Sequence, residues 1–300
     1  MSVKTIIDTL QKGVSYLEKN QIDEARLNME HLLAHVLGCR RLDLYLRFGE
    51  VLEEKTLEPL RGLIKKRAEG VPLQHLLGNV QFLDLEIVCD HRALIPRPET
   101  ECLVDQILKQ YQARPPKRVL DLCCGSGCIG LAVAKHWSDC DVVLADISED
   151  ALDLARYNSE RLTLHQVKII RSDLFETIVG KFDLIISNPP YIPSAEIQEL
   201  SREVKNDPHL ALDGGEDGLD IVRKIAQQVE QYLNEGGSLI MEVGHDQHDR
   251  AQQCFSSECF EYTEGMFDLQ GIKRFVEVKL KSQRQAMDKV AESMIESVIG

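Results

Sequence analysis

The apolar run Phe182-Asp183-Leu184-Ile185-Ile186, halted at Ser187-Asn188-Pro189-Pro190-Tyr191, constrains this chain more than any other stretch. The run has the length and β-branching of a buried strand. The two prolines donate no backbone hydrogen bonds and fix φ, and each pushes the residue before it out of the α region. The strand therefore runs out into a rigid loop rich in acceptors, the Asn188 side-chain oxygen and the Pro189 carbonyl. Tyr191 adds an aromatic face beside them. Two fixed acceptors suit a planar –NH2 group, whose two N–H bonds they hold while its face meets an electrophile. A plain proline-rich turn is the alternative reading of the same residues.

Around that strand the chain alternates strand and helix, the signature of a doubly wound, mostly parallel sheet. Strands are expected at Arg118–Leu122, Asp141–Ala145, Val167–Arg171, Phe182–Ser187, Gly237–Val243 and Arg274–Leu280, with a weaker one at Phe260–Thr263. That makes an α/β fold with a seven-stranded, Rossmann-like sheet. Helices fall between the strands, notably Ser148–Glu160 and Leu219–Leu233. Residues 1–75 read instead as a small all-helical domain, from Leu10, Val14 and Leu17 and then Ala25, Met29, Leu32, Leu33, Val36 and Leu37 at helical spacing. Gly38 suits a helix C-cap, and a further helix over 53–69 ends at Gly70-Val71-Pro72. Residues 76–95 form a hairpin or linker, 96–280 the main domain, and 281–300 a polar, amphipathic tail.

Nothing in the composition points to a nucleic-acid backbone as ligand, since the formal charge is −14 and the pI about 5.1. No apolar run reaches the length of a membrane span, and the first residues lack a signal-peptide core. Nine scattered cysteines, an odd number, are read as reduced thiols. No metal is expected: His31 and His35 beside Glu30 read as helix residues, and His245-Asp246-Gln247-His248 as a polar loop, because no further ligands accompany either pair.

The second candidate half-site is Asp121-Leu122-Cys123-Cys124-Gly125-Ser126-Gly127-Cys128-Ile129-Gly130, joining a strand to a helix. Small residues there let backbone approach a ligand at the carboxyl end of the sheet. Gly125 to Gly130 also fits the dinucleotide fingerprint, with Asp146 near the expected ribose acid, so a nicotinamide enzyme competes. Asp121 favours another cofactor: a carboxylate there repels a pyrophosphate but suits the amino group of S-adenosylmethionine. Asp146 can then accept the ribose hydroxyls and Asp173 meet the adenine amino group, with Leu174 and Phe175 on the adenine face. The alternative is that these acids merely cap turns and helices.

Further motifs are Leu94-Ile95-Pro96-Arg97-Pro98-Glu99-Thr100-Glu101, Gly214-Gly215-Glu216-Asp217-Gly218-Leu219, Glu242-Val243-Gly244 and Asp268-Leu269-Gln270-Gly271-Ile272-Lys273-Arg274. Together with the glycine-rich turn, Asp146 and Asn188-Pro189-Pro190-Tyr191, they make the chain resemble the PrmC/HemK-type protein-(glutamine) methyltransferases of peptide chain release factors. The resemblance runs from the helical domain to Lys279. It implies a class I S-adenosylmethionine-dependent methyltransferase fold and methylation of the glutamine side-chain amide in a Gly-Gly-Gln motif, tuning translation termination. It implies that Asn188, Pro189, Pro190 and Tyr191 bind the substrate amide and carry catalysis, with Arg97 and Glu99 also on the substrate side. Asp121, Cys123, Cys124, Gly125, Ser126, Gly127, Asp146, Asp173, Leu174 and Asn188 would hold the cofactor. A cytoplasmic monomer acting on release factors, with no direct nucleic-acid contact, is expected. The family usually has glycine at position 123, so Cys123 fits the turn only with negative φ, and the tail runs past the family's usual end. Amino-methyltransferases of nucleic acids share Asn-Pro-Pro-Tyr, and a flipped base would offer the same planar –NH2.

Overall fold

The computed structural model describes residues 4–282, so nearly all of the expected tail at 281–300 lies outside the described residues. The chain divides into two units, the first comprising the chain through Val80 together with Cys89–His91 and Leu200–Asn206.

In this first unit helix α1 (Ile6–Lys19) begins at a capping box, in which the Thr5 hydroxyl accepts the Asp8 N–H and the Asp8 carboxylate accepts the Thr5 N–H. Its buried stripe, Ile6, Leu10 and Leu17, joins Met29, Leu32 and Leu33 of helix α2 (Ala25–Leu37) in one core. Gly13 permits that approach, because a Cβ there would lie 2.2 Å from the Met29 sulfur. The α2 helix ends, as its periodicity predicts, at Gly38 with φ +61°. Glu30 is buried and accepts from Arg26, Arg41 and Tyr45. Helices α3 (Glu54–Ala68) and α4 (Leu73–Leu77) complete the bundle. The buried guanidinium of Arg67 donates to Asn28 at 2.6 Å and to Glu203 at 2.5 Å. Glu203 lies on a stretch that periodicity alone assigns to the main domain.

Strands β1 (Asn79–Phe82) and β2 (Leu85–Val88) form the expected hairpin, turning through Leu83 at φ +52°. In the second unit, helix α5 (Pro98–Gln110) starts with proline at its first position and Glu99 and Glu101 in its first turn, where acids favour the helix dipole. There follow β3 (Arg118–Leu122), α6 (Cys128–His136), β4 (Asp141–Asp146), α7 (Glu149–Arg161), β5 (Lys168–Arg171) and β6 (Phe182–Ser187). The remainder is α8 (Asp220–Ala226), β7 (Leu233–Glu242), α9 (His248–Gln252), β8 (Phe260–Tyr262), β9 (Met266–Phe267) and β10 (Lys273–Leu280). The seven expected strands form one path, β5-β4-β3-β6-β7-β10-β8, and the two-residue β9 adds an eighth on β10. Pairing is parallel from β5 to β7, while β10 runs antiparallel to both β7 and β8. The central strands β3 and β6 are buried at all but one position each, and mostly apolar, because both faces are covered.

The expected helix over 219–233 is shorter than its periodicity suggests. The α-helix ends at Ala226, a 3-10 turn spans Val229–Tyr232, and β7 begins at Leu233, which pairs in register with Phe182. Tyr232 just before it stacks on Phe175 at 4.5 Å.

One buried side chain ties three segments of this unit together. Asn158 of α7, fully buried, donates to the Val88 and Ser126 carbonyls and accepts the Val88 N–H. An Asn158→Ala change leaves these backbone groups without partners at about 1–3 kcal/mol each, so chemical denaturation is expected to show a stability loss of about 3 kcal/mol. A loss under about 0.5 kcal/mol would show that water or a shifted backbone replaces the amide.

Candidate active site

The strand order reverses direction at β3, whose neighbours β4 and β6 lie on opposite sides, and ligands of open α/β sheets bind outside the carboxyl ends of strands at such a switch point. Leu122 and Ser187 are in register there, and the Ser187 hydroxyl donates to the Leu122 carbonyl at 2.7 Å. The glycine-rich turn after β3 and the Asn-Pro-Pro loop after β6 thereby leave the sheet side by side. Between them is a cavity of about 260 Å³ lined by Cys123, Cys124, Gly125, Ser126, Asp146, Asp173, Leu174, Asn188 and Pro190, with Arg97 and Thr100 from the start of α5.

The turn is built from fixed backbone. Cys124 N–H donates to Ala145 O of β4, and Gly127, at φ +81°, caps α6. A Cβ on Gly127 would lie 2.8 Å from Leu144, which requires glycine there. Cys123 has φ +61°, which corrects the expectation of a negative value. Leu122 is locked in β3 and Cys124 on β4, so the residue between them must take the left-handed conformation whatever its side chain, at a cost of about 1–3 kcal/mol. Its thiol packs on the sheet core, and burial pushes its pKa up. Leu174, at φ +48°, is a second strained residue on the cavity wall.

Asp146 ends β4 with its carboxylate bridging the glycine-rich turn and the start of α7, Oδ2 accepting Gly125 N–H and Oδ1 accepting Ser148 N–H, each at 2.9 Å. A carboxylate oxygen has capacity for a further donor, so two adjacent ribose hydroxyls can be accepted without breaking this clamp. Asp121 is fully buried and outside the cavity's lining. Its Oδ2 accepts Gly130 N–H at 2.8 Å, its Oδ1 is buried without a partner, and burial pushes its pKa up to about 7. An unpartnered buried carboxylate oxygen is suited to a nearby cationic group. Asp173 is exposed on the cavity wall. Phe175 departs from the adenine-facing expectation: it is fully buried and stacks on Tyr232 in the core.

On the other wall Asn188 donates through Nδ2 to the Thr100 hydroxyl at 3.0 Å. Pro190 lines the cavity, whereas Pro189 is buried and Tyr191 turns its hydroxyl to Glu242 at 3.3 Å. Arg97 faces the cavity with its guanidinium on the buried Asp207 at 2.5 Å. Glu99 is half-buried and outside the lining, close enough to Glu242 to add to the rise in that acid's pKa. The Gly214–Gly218 segment lies against the backbone of Tyr191, where a Cβ on Gly214 would come within 2.7 Å of the Tyr191 Cα. Gln247 braces the same loop, donating to the Tyr191 carbonyl and accepting Gly244 N–H. Asp207 and Gln247 carry no sequence signal beyond their polarity, and Thr100 and Glu242 stand inside quoted motifs without a role that spacing assigns.

Comparison with known proteins agrees with this geometry. Residues 8–78 match the family model described as the PrmC N-terminal domain, and residues 98–206 match the methyltransferase small domain. A release factor glutamine methyltransferase of Geobacter sulfurreducens is 40% identical over 266 residues, 87% of this chain and 93% of its own length. Its counterpart from Clostridium acetobutylicum is 35% identical over 276 residues, 90% of this chain and 97% of its own. Among solved structures, a methyltransferase from Pyrococcus furiosus shares the fold with a TM-score of 0.51 at 20% identity, over 67% of this chain and 90% of that one. Among the described residues no helix is long and apolar enough to cross a membrane. With its glycine-rich turn and Asn-Pro-Pro loop brought to one cavity, this chain belongs to the release factor glutamine methyltransferase family, enzymes that take their methyl group from S-adenosylmethionine.

Proposed function

We propose that the chain methylates the side-chain amide nitrogen of the glutamine in the Gly-Gly-Gln tripeptide of peptide chain release factors, and so tunes translation termination. The observation that carries this reading is Asn188: its –NH2 is engaged by Thr100, which leaves its carbonyl oxygen as the acceptor on the cavity wall beside Asp146. Asp146 would hold the cofactor's ribose, Asp121 its amino end, and Asp173 with Leu174 its adenine. Bound there, S-adenosylmethionine supplies an electrophilic methyl group.

An amide nitrogen is a weak nucleophile because its lone pair is delocalised. Asn188 Oδ1 and the Pro189 carbonyl, fixed by the proline backbone, accept its two N–H bonds and raise electron density on nitrogen, a preorganised electrostatic effect. The rigid loop sets the line of attack and lowers the entropic barrier. The amide proton leaves to solvent, and no side chain is assigned as base. Pro190 and Tyr191 shape the loop, and Arg97 and Glu99 stand at its substrate side. Residues 1–75 are the substrate-recognition domain in this reading, the enzyme is a cytoplasmic monomer, and its −14 charge favours a protein over a direct nucleic-acid substrate.

The deciding experiment follows label from S-adenosylmethionine to full-length release factor, to its Gln→Ala variant in Gly-Gly-Gln, and to duplex DNA. Label on the wild-type factor alone is expected, and label on DNA would place the activity with nucleic-acid amino-methylation. Asn188→Ala is expected to lower kcat by about 10²–10³-fold, the scale for one preorganised polar group, with cofactor affinity retained in calorimetry. Unchanged turnover would remove Asn188 from catalysis. Asp146→Ala loses charge-assisted hydrogen bonds of about 1.5–3 kcal/mol, so cofactor Kd should rise by roughly 10–100-fold; an unaltered Kd would refute the ribose role.

A further inference from the structure

An asparagine amide has two ends of opposite sense, an acceptor oxygen and a donor nitrogen. Turned by 180°, Asn188 would aim its own –NH2 at the substrate's –NH2, and the reaction would lose its acceptor. Some neighbour has to choose between these orientations. Asn188 Nδ2 lies 3.0 Å from Thr100 Oγ1, and Thr100 Oγ1 lies 2.6 Å from Glu242 Oε2. Tyr191 donates to the other carboxylate oxygen, Glu242 Oε1, at 3.3 Å. Thr100 is 2% exposed and Glu242 1%, so no bulk solvent competes for these bonds.

We propose that Thr100 and Glu242 are positioning residues that lock Asn188 with its carbonyl oxygen toward the substrate amide. An ionised carboxylate only accepts, so the single Thr100 proton must point at Glu242. The Thr100 lone pairs then face Asn188, and only the –NH2 end of the amide can pair with them. Tyr191 holds the carboxylate from its other side and so couples the substrate loop to the same relay. The proposal rests on the reading of Asn188 as an acceptor for the substrate, and adds what orients it.

The relay has a pH signature. Glu242 is faced by Thr100 and Glu99 from α5, Tyr191 from the loop after β6, Arg274 from β10 and Cys128 from α6. Burial, reinforced by Glu99, outweighs the Thr100 and Tyr191 hydrogen bonds and the Arg274 charge, and pushes the carboxyl up to about 7. Once protonated, Glu242 can donate to Thr100, whose own proton is then free to turn onto Asn188 Oδ1. That reverses the relay and turns the –NH2 of Asn188 toward the cavity. Turnover therefore falls as pH drops through about 7 and rises as pH climbs through it.

The test compares Thr100→Val, Thr100→Ser and the wild type in methyl transfer to release factor at saturating cofactor. Thr100→Val should lose roughly 10- to 100-fold in kcat, the scale of a misoriented reacting group, with cofactor Kd and release-factor KM within about twofold. It should also lose the rise in kcat through pH 7, and Thr100→Ser should restore both. An unchanged kcat in Thr100→Val, or a loss that serine does not rescue, would overturn the relay. Failure of the substrate reading would look different: the wild type would bind cofactor yet leave the release factor unlabelled. The relay is then read by NMR of the Asn188 side-chain –NH2, identified by its absence in Asn188→Ser. Slow solvent exchange in the wild type and its loss in Thr100→Val support the lock, and equal exchange in both refutes it.

Discussion

The parallel register of β3 and β6 is the constraint on which the remainder depends. It sets Leu122 beside Ser187, residues 65 apart in sequence, and the Ser187 hydroxyl closes the pair onto the Leu122 carbonyl. A slip of one residue would turn every side chain of either strand to the opposite face. It would also shift the Asn-Pro-Pro loop along the strand axis relative to the glycine-rich turn. Two motifs that sequence presents as separate therefore become one cavity through a strand pairing that neither of them encodes.

Around that cavity the fold buries acids in a chain that already carries a formal charge of −14. Asp121, Asp146, Asp207 and Glu242 all have pKa values raised by burial, and each is fastened by backbone N–H groups, by hydroxyls or by Arg97. The left-handed Cys123 and Leu174 add backbone strain on the wall of the same cavity. Functional sites commonly break local rules in this way. A cationic cofactor complements such a group of buried acids, since a positive charge offsets the cost of ionising them.

Much of this is legible in the residues themselves. The apolar runs ending at Leu122 and Ser187, the small residues of the turn and the proline pair locate strands and site, because each depends on local conformational rules. Other features depend on contacts between distant segments. The early start of β7 follows from Leu233 meeting Phe182, and Phe175 turns inward because Tyr232 offers it a stacking partner. Thr100 and Glu242 acquire a role only when α5, the end of β7 and the loop after β6 meet. Periodicity does not record such meetings. The Cys123 backbone escapes sequence reasoning for the converse reason: a residue preference favours one φ, and two flanking hydrogen-bonded neighbours impose another.

The helical unit is not contiguous in the chain. Its Arg67 guanidinium, 3% exposed, finds Asn28, 39 positions earlier, within the helices, but its carboxylate partner Glu203 lies 136 positions further on. During synthesis from the N-terminus, the bundle is complete in helices long before its charge is matched, and that buried cation must wait for the stretch beyond the Asn-Pro-Pro loop. The bundle is thus no detachable cassette: its final ion pair forms only after the ribosome has also made Asn188-Pro189-Pro190-Tyr191.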